Sequence, residues 1–509
     1  MAMASLMQGL GLSYASGRAP VPPTVARSVG VPLASIVGRT PRGGLSVSRS
    51  GVVRAARATT TAPEVVCSPI WFTATALLWR QPSGGIVQAD LAVGRERGRF
   101  GAAQVLASDP EEGPGPGTAE YHPFRAATEL LWTGGGRCIP FAMKVPAGTE
   151  MAGLRAVFVN TSGTAAGPGT GPSEVSPSGI AARPLAAQSA EAGPLRPAMV
   201  TRRQWGANPK YFDSAPGCSA PYYAPRLKMA FIHHTAGSNS YSPSQSDDIV
   251  RAIYWYHTRV RKYCDIAYNF LVDRYGKVFV GRAGGVSRPM IPASQEGFNT
   301  DTFSVSTIGN WQTATPPAVM VRSVERLLSW RLDIKHLPPT GSALMTSGGG
   351  ATTRYPAGTK VRLHLMSGHR DTGLTACPGA RFYPLLPGIR RTVNAMGGPK
   401  VYRPAESSPQ VTPLKRSTTF TAWANESLTW RVSVTDRSGD VYTTMYRSGT
   451  ALHLSWNGTD ASGAPLRPGV YRVVIGGADT NGGRARPAVL PIAVNPAPAG
   501  PSPTPTSSP

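Results

Sequence analysis

The stretch Gly368-His369-Arg370-Asp371-Thr372-Gly373-Leu374-Thr375-Ala376-Cys377-Pro378-Gly379 offers an imidazole and a thiol eight positions apart. Both are zinc-ligand types, and a thiol that binds a cation gives up its proton. Such pairs also arise by chance, and a lone cysteine is commonly a small core residue. The neighbouring elements matter, therefore. Val361-Arg362-Leu363-His364-Leu365 reads as a strand, and Cys377-Pro378-Gly379 as a turn ahead of an apolar segment from Phe382 to Ile389. His369 would sit at a strand end and Cys377 in the following loop.

Far upstream, Lys228-Met229-Ala230-Phe231-Ile232-His233-His234-Thr235 is an apolar run ending in two histidines. Strand side chains alternate faces, so only one of the two can face a given metal. The other packs or binds backbone. Cys264 to Arg282 reads as a hairpin turning at Tyr275-Gly276. Two helices are expected. One runs from Asp247 to Lys262 with Ser246 as N-cap, and the other lies near Val319 to Lys335. His257 falls on the apolar face of the first and reads as a packed histidine rather than a ligand.

These segments resemble the peptidoglycan recognition protein family and the zinc-dependent N-acetylmuramoyl-L-alanine amidases that share its fold. The likeness rests on Arg202-Arg203-Gln204-Trp205-Gly206-Ala207, Phe231-Ile232-His233-His234-Thr235, Asp265-Ile266-Ala267-Tyr268-Asn269-Phe270 and the opening His369–Cys377 stretch. It runs from about Met199 to Val393. It implies an α/β domain with a mixed central sheet flanked by helices and a peptidoglycan groove over a zinc ion. His233, His369 and Cys377 are the implied ligands, with Tyr268 and Thr375 as the two further residues at the metal. The chain also departs from the family. Ser294 stands where close relatives have a groove histidine, Val280 where a glutamate often precedes Gly-Arg, and Ser304 where the next strand has a glycine.

Of the five cysteines, Cys377 is taken as a zinc ligand, and the remaining four allow three pairings. Related secreted amidases share Cys218 and Cys264, which implies that these pair and leaves Cys67 with Cys138. Paired cysteines imply an oxidising, extracellular setting. The start of the chain does not resemble an ordinary signal peptide, since residues 1–14 carry no positive charge. No run of about 20 apolar residues occurs, so no membrane span is expected. The charge is strongly positive, 52 Lys+Arg against 27 Asp+Glu, giving a formal +25. A basic surface suits a polyanion. With no nucleic-acid motif in the chain, anionic wall polymers are favoured over nucleic acid, and a high-Arg composition without a partner explains the charge equally well.

The 57 glycines and 49 prolines mark much of the chain as loop or linker. Residues 1–65 read as a disordered leader. Residues 66–162 read as a β-rich accessory domain without chemistry of its own, and 163–196 as a linker. The amidase-like domain occupies 197–395, and 396–411 is a second linker. Residues 412–495 resemble the immunoglobulin-like β-sandwich of the flagellar hook-capping family, and 496–509 form a disordered tail.

Amide hydrolysis needs an activated water and a polarised carbonyl, and a zinc held by three side chains keeps a position open for both. The resemblance places Tyr268 to orient the water and stabilise the oxyanion. An unperturbed phenol has a pKa of about 10, so whether Tyr268 also takes a proton is open. Two functions follow: a secreted zinc amidase cutting the N-acetylmuramoyl-L-alanine bond, or a wall-binding protein that turns over poorly. Ser294 favours the second and Tyr268 the first.

Overall fold

The computed structural model describes residues 26–37, 44–107 (save 84, 97, 98 and 102), 113–161 (save 123 and 124), 193–214 and 217–496. The linker expected at 163–196 and the tail from 496 fall almost wholly outside these residues, as does the start of the leader.

The N-terminal part is a β-sheet organised on the long strand Glu64–Ser83, which pairs antiparallel with Leu131–Val145 on one side and Glu150–Asn160 on the other. Phe72, Trp79, Ile139, Phe141 and Phe158 fill its core. Cys67 and Cys138 face each other in the ladder and form a disulfide. Four strands lie where a disordered leader was expected: Arg27–Pro32, Leu45–Val47, Val53–Ala55 and Thr59–Thr60. The first runs along Glu150–Asn160 with most of its side chains exposed. An edge strand of this kind needs few bulky residues, which is why its composition looked unstructured.

In the central part, β1 (Met229–His234), β2 (Phe270–Val272), β3 (Val278–Val280), β4 (Thr302–Thr307) and β5 (Met366–Gly368) form one sheet in the order β3-β2-β4-β1-β5. β2 and β3 are antiparallel and the other pairs parallel. The sheet is mixed, as expected. β1 lies between β4 and β5 and every residue of it is buried, as a strand covered on both faces must be. Helix α1 (Ser246–Trp255) covers one face; α2 (Ala318–Asp333) and α3 (Leu386–Ala395) cover the other.

Four local expectations need correcting. Ser246 is not the N-cap of α1; Gln245 holds that position without a side-chain cap bond, and Ser246 is buried inside the first turn. The second half of the expected helix, Tyr256–Arg261, winds as a π-helix and ends at Lys262 with φ +65°. Residues 265–269 are not strand; they approach β2 as irregular chain. The strand before His369 is also divided. Among the described residues Lys360–His364 pairs only with Ser342–Thr346, and the short β5 is what joins the main sheet.

The C-terminal part is a six-stranded sheet from Val401 to Val494, cored by Phe420, Trp430, Val432, Trp456 and Ile475. Its first strand, Val401–Glu406, occupies the span read as a linker. It is tied to the central part by an Arg486–Asp333 ion pair of 2.8 Å and by His336 Nδ1 bonding the Val401 carbonyl at 3.0 Å.

The N-terminal sheet and α1 share one apolar core. Ala74, Leu78, Trp132 and Val157 pack in a single cluster with Ile249, Ile253, Tyr256 and Tyr268. Tyr256 adds a hydroxyl bond to the Thr128 carbonyl at 2.9 Å. Among the described residues, no helix is long and apolar enough to cross a membrane.

Candidate metal centre

The site forms where parallel strands end. β1 and β5 are neighbours, with Ile232 opposite Gly368. The next residue of each is a histidine, so His233 and His369 leave the sheet side by side at its carboxyl edge. Such edges are where open α/β sheets place ligands. Alternation decides between the two adjacent histidines. Ala230 and Ile232 pack toward α2 and α3, so His234 shares their face and His233 takes the other. His234 Nδ1 accepts the Trp311 amide at 3.2 Å. It is the member of the pair that binds backbone.

His369 opens a short 3-10 turn, His369–Asp371, in which Asp371 Oδ2 accepts the Gly368 amide at 2.9 Å. The chain then doubles back. The Arg370 amide donates to the Cys377 carbonyl at 2.9 Å, which brings Cys377 beside His233. Gly373 is needed here for space. A Cβ at this position would lie 2.8 Å from Cδ2 and Nε2 of His369.

His233 Nδ1 and His369 Nδ1 are 3.2 Å apart, and Cys377 Sγ lies 3.8 Å from His233 Nδ1. All three donor atoms fall within 4.8 Å of one another and all three residues are buried. Tetrahedral zinc with bonds of about 2.0–2.3 Å sets its ligand atoms about 3.3–3.6 Å apart; the donor types suit that ion, and the two separations from His233 Nδ1 lie close to that range. Burial, then the His369 and His234 imidazoles, holds His233 well below its ordinary pKa; burial and then His234 lower His369 to about 3. Both rings are therefore neutral near pH 7, as metal ligation requires. The Nε2 of His233 meets Ser294 Oγ at 3.4 Å. That contact suits the tautomer with Nδ1 free to ligate.

Tyr268 lies beside His233, ring centroids 5.5 Å apart, and is 1% exposed. Its hydroxyl has no hydrogen-bond partner among the described residues. A buried donor left unsatisfied is costly and calls for an explanation, and a ligand or substrate atom at the centre supplies one. Thr375 is partly exposed, and its hydroxyl accepts the Cys377 amide at 2.8 Å. In this state it shapes the cysteine turn. His257 stays outside the donor group, with Nδ1 accepting the Ala267 amide at 3.0 Å. Cys218 and Cys264 form the second disulfide, at the same end of the domain.

Several residues around the centre were not foreseen. Gln295 Nε2 donates to the His369 carbonyl at 3.2 Å and also bonds Thr372. Asn299 Oδ1 gathers the amides of Ser294 and Gln295 at 3.0 and 2.9 Å. Glu120, from the N-terminal part, reaches in to Arg282 and Cys264.

Residues 223–380 match the family described as N-acetylmuramoyl-L-alanine amidase. Peptidoglycan recognition protein 1 of Bos taurus is 28% identical over 192 residues, 37% of this chain and 82% of that protein. Peptidoglycan-recognition protein SC2 of Drosophila melanogaster is 26% identical over 185 residues, 36% of this chain and 82% of that one. Among solved structures, the human PGRP-IBETAC complex with glycosamyl muramyl pentapeptide is 22% identical, covers 38% of this chain and 95% of that one, and has a TM-score of 0.28. Drosophila PGRP-LB is 21% identical, covers 37% and 91%, and has a TM-score of 0.28. By its sequence matches, the central part of the chain is similar to peptidoglycan recognition proteins and to the N-acetylmuramoyl-L-alanine amidase family.

Proposed function

We propose that this chain is a zinc-dependent amidase that hydrolyses the N-acetylmuramoyl-L-alanine bond of peptidoglycan. The observation that carries the reading is the convergence of two neutral imidazoles and one thiol beside the unpartnered hydroxyl of Tyr268. His233, His369 and Cys377 would hold the zinc, which when bound polarises a carbonyl and acidifies water. The remaining work falls to the chain. Tyr268 donates its hydroxyl hydrogen to the oxygen that gains charge as the amide carbonyl is attacked. Its ring is buried and its hydroxyl is committed to nothing else, so the donor needs no rearrangement at that moment. Thr375 holds the Cys377 turn through its acceptor and keeps its own hydrogen free for the same side of the site. Ser294 and the Asn299-bound loop fix the His233 ring.

The second reading, a peptidoglycan binder with poor turnover, is favoured by Ser294 standing in place of the family's groove histidine. Incubating the protein with peptidoglycan, with and without a chelator, separates the two. Chelator-sensitive release of stem peptides is expected. Retention on peptidoglycan without release would replace the enzyme with a binder. Two disulfides support an extracellular, wall-associated location. The basic surface is read as contact with anionic wall polymers, and the C-terminal sheet as an immunoglobulin-like accessory domain without catalytic groups.

A further inference from the structure

Glu120 belongs to the N-terminal part by sequence and to the central part by position. Its side chain is buried, as is that of Arg282, and the two form an ion pair. Its other carboxylate oxygen accepts the Cys264 amide at 2.9 Å. Those two partners bracket the segment that carries Tyr268. Cys264 stands four residues before it, and the Arg282 amide donates to the Tyr268 carbonyl at 2.8 Å. One carboxylate therefore ties both ends of the chain around the candidate hydroxyl.

The neighbouring residues dock in the same place. Asn299 Nδ2 donates to the Gly113 carbonyl at 2.9 Å, while its Oδ1 holds the loop that bears Ser294. Tyr121 hydrogen-bonds Glu296, and that contact, after burial, raises its phenol above the ordinary value. Segment 113–121 thus touches both the Tyr268 side and the Ser294 side of the centre. A buried ion pair adds little net stability over an apolar pair of equal volume, whereas losing one partner is costly. Stability alone is a poor account of why Arg282 is paired with an acid from another domain, with the apolar Val280 two residues before it.

We propose that Glu120 is a positioning residue of the candidate site: through Arg282 and the Cys264 amide, the N-terminal domain fixes where the Tyr268 hydroxyl points. The catalytic meaning of that position rests on the amidase reading; the position itself does not. The test uses the full chain with 13C-ring-labelled tyrosine, the Tyr268 signal being assigned by its loss in Tyr268→Phe. Glu120→Gln keeps an acceptor for Cys264 and removes the charge facing Arg282. The Tyr268 signal should shift, and kcat on peptidoglycan should fall by about ten- to a hundredfold with KM and zinc content unchanged. The double variant Glu120→Gln/Arg282→Gln should be no worse than either single change, because both act through one contact. It also gives the readout if the lone Arg282 charge prevents Glu120→Gln from folding. A Tyr268 signal that stays in place in the folded variants overturns the proposal, whatever the wild-type activity. A shifted signal in a protein that never turns over keeps the positioning role and removes the amidase reading instead.

Discussion

Tyr268→Phe deletes one oxygen from a ring that is 1% exposed, and that oxygen has no partner among the described residues. Burying an unsatisfied hydroxyl costs about 1–3 kcal/mol. In the metal-free protein the phenylalanine variant should therefore be more stable than wild type, by about 1 kcal/mol once relaxation of the gap is allowed for. For a cooperative unit of about 200 residues this raises Tm by roughly 2–4 °C. Catalysis should move the other way. Loss of one donor to a developing oxyanion typically costs about 10²–10³ in kcat, or roughly 3–4 kcal/mol. The assays are differential scanning calorimetry on chelator-treated protein and stem-peptide release from peptidoglycan at fixed zinc content. A packing tyrosine with a hidden hydrogen bond would give the opposite pair, with stability lost and turnover per folded molecule kept. That result, or unchanged turnover alone, would refute the role given to the hydroxyl.

Cys377→Ser should remove the single bound zinc, while His257→Ala should keep it at a cost in stability of about 1–3 kcal/mol from the orphaned Ala267 amide; elemental analysis and thermal unfolding check both. Gly373→Ala places a methyl 2.8 Å from the His369 ring, so zinc affinity should weaken by about 10–100-fold while the near-ultraviolet circular dichroism of the fold is retained. The pH dependence of zinc binding has a definite sign. Burial holds both imidazoles below their ordinary value, His369 at about 3, so in mildly acid solution the proton released on binding comes chiefly from a thiol that must ionise to ligate. Affinity should then rise about tenfold per pH unit; a slope near a thousandfold per unit, from competition titration at pH 5–6, would mean that the imidazoles are protonated there.

The grouping of His233, His369 and Cys377 was legible because each lies in a short motif of ordered residues, and because strand alternation lets only one of His233 and His234 face the other two. The sheet order was beyond reach, since β5 is three residues long and joins β1 across a sequence separation of 136 between His233 and His369. Ser246 misled because a serine before two aspartates looks like a cap, yet the helix starts one residue earlier and buries it. Glu120 carried no signal at all. It sits in a Gly- and Pro-rich stretch with no periodicity, and its partner Arg282 is 162 positions away. The early strands were missed because Arg27–Pro32 is bonded along one side only and shows few apolar residues.

The core shared by Trp132, Leu78 and Val157 with Ile249, Ile253 and Tyr256 bears on heredity as well as on packing. Each large aliphatic or aromatic side chain left uncovered there forgoes roughly 1.5–3 kcal/mol, and the shortfall soon equals the whole margin of about 5–15 kcal/mol by which a domain stays folded. A gene exchange that carried residues 197–395 into a new protein without their N-terminal neighbour would deliver an unfinished surface. The candidate donor group His233, His369 and Cys377 would be inherited intact, on a body that no longer holds it still. The two halves are thus expected to descend together, with recombination more readily tolerated on the far side, at the polar Arg486–Asp333 junction.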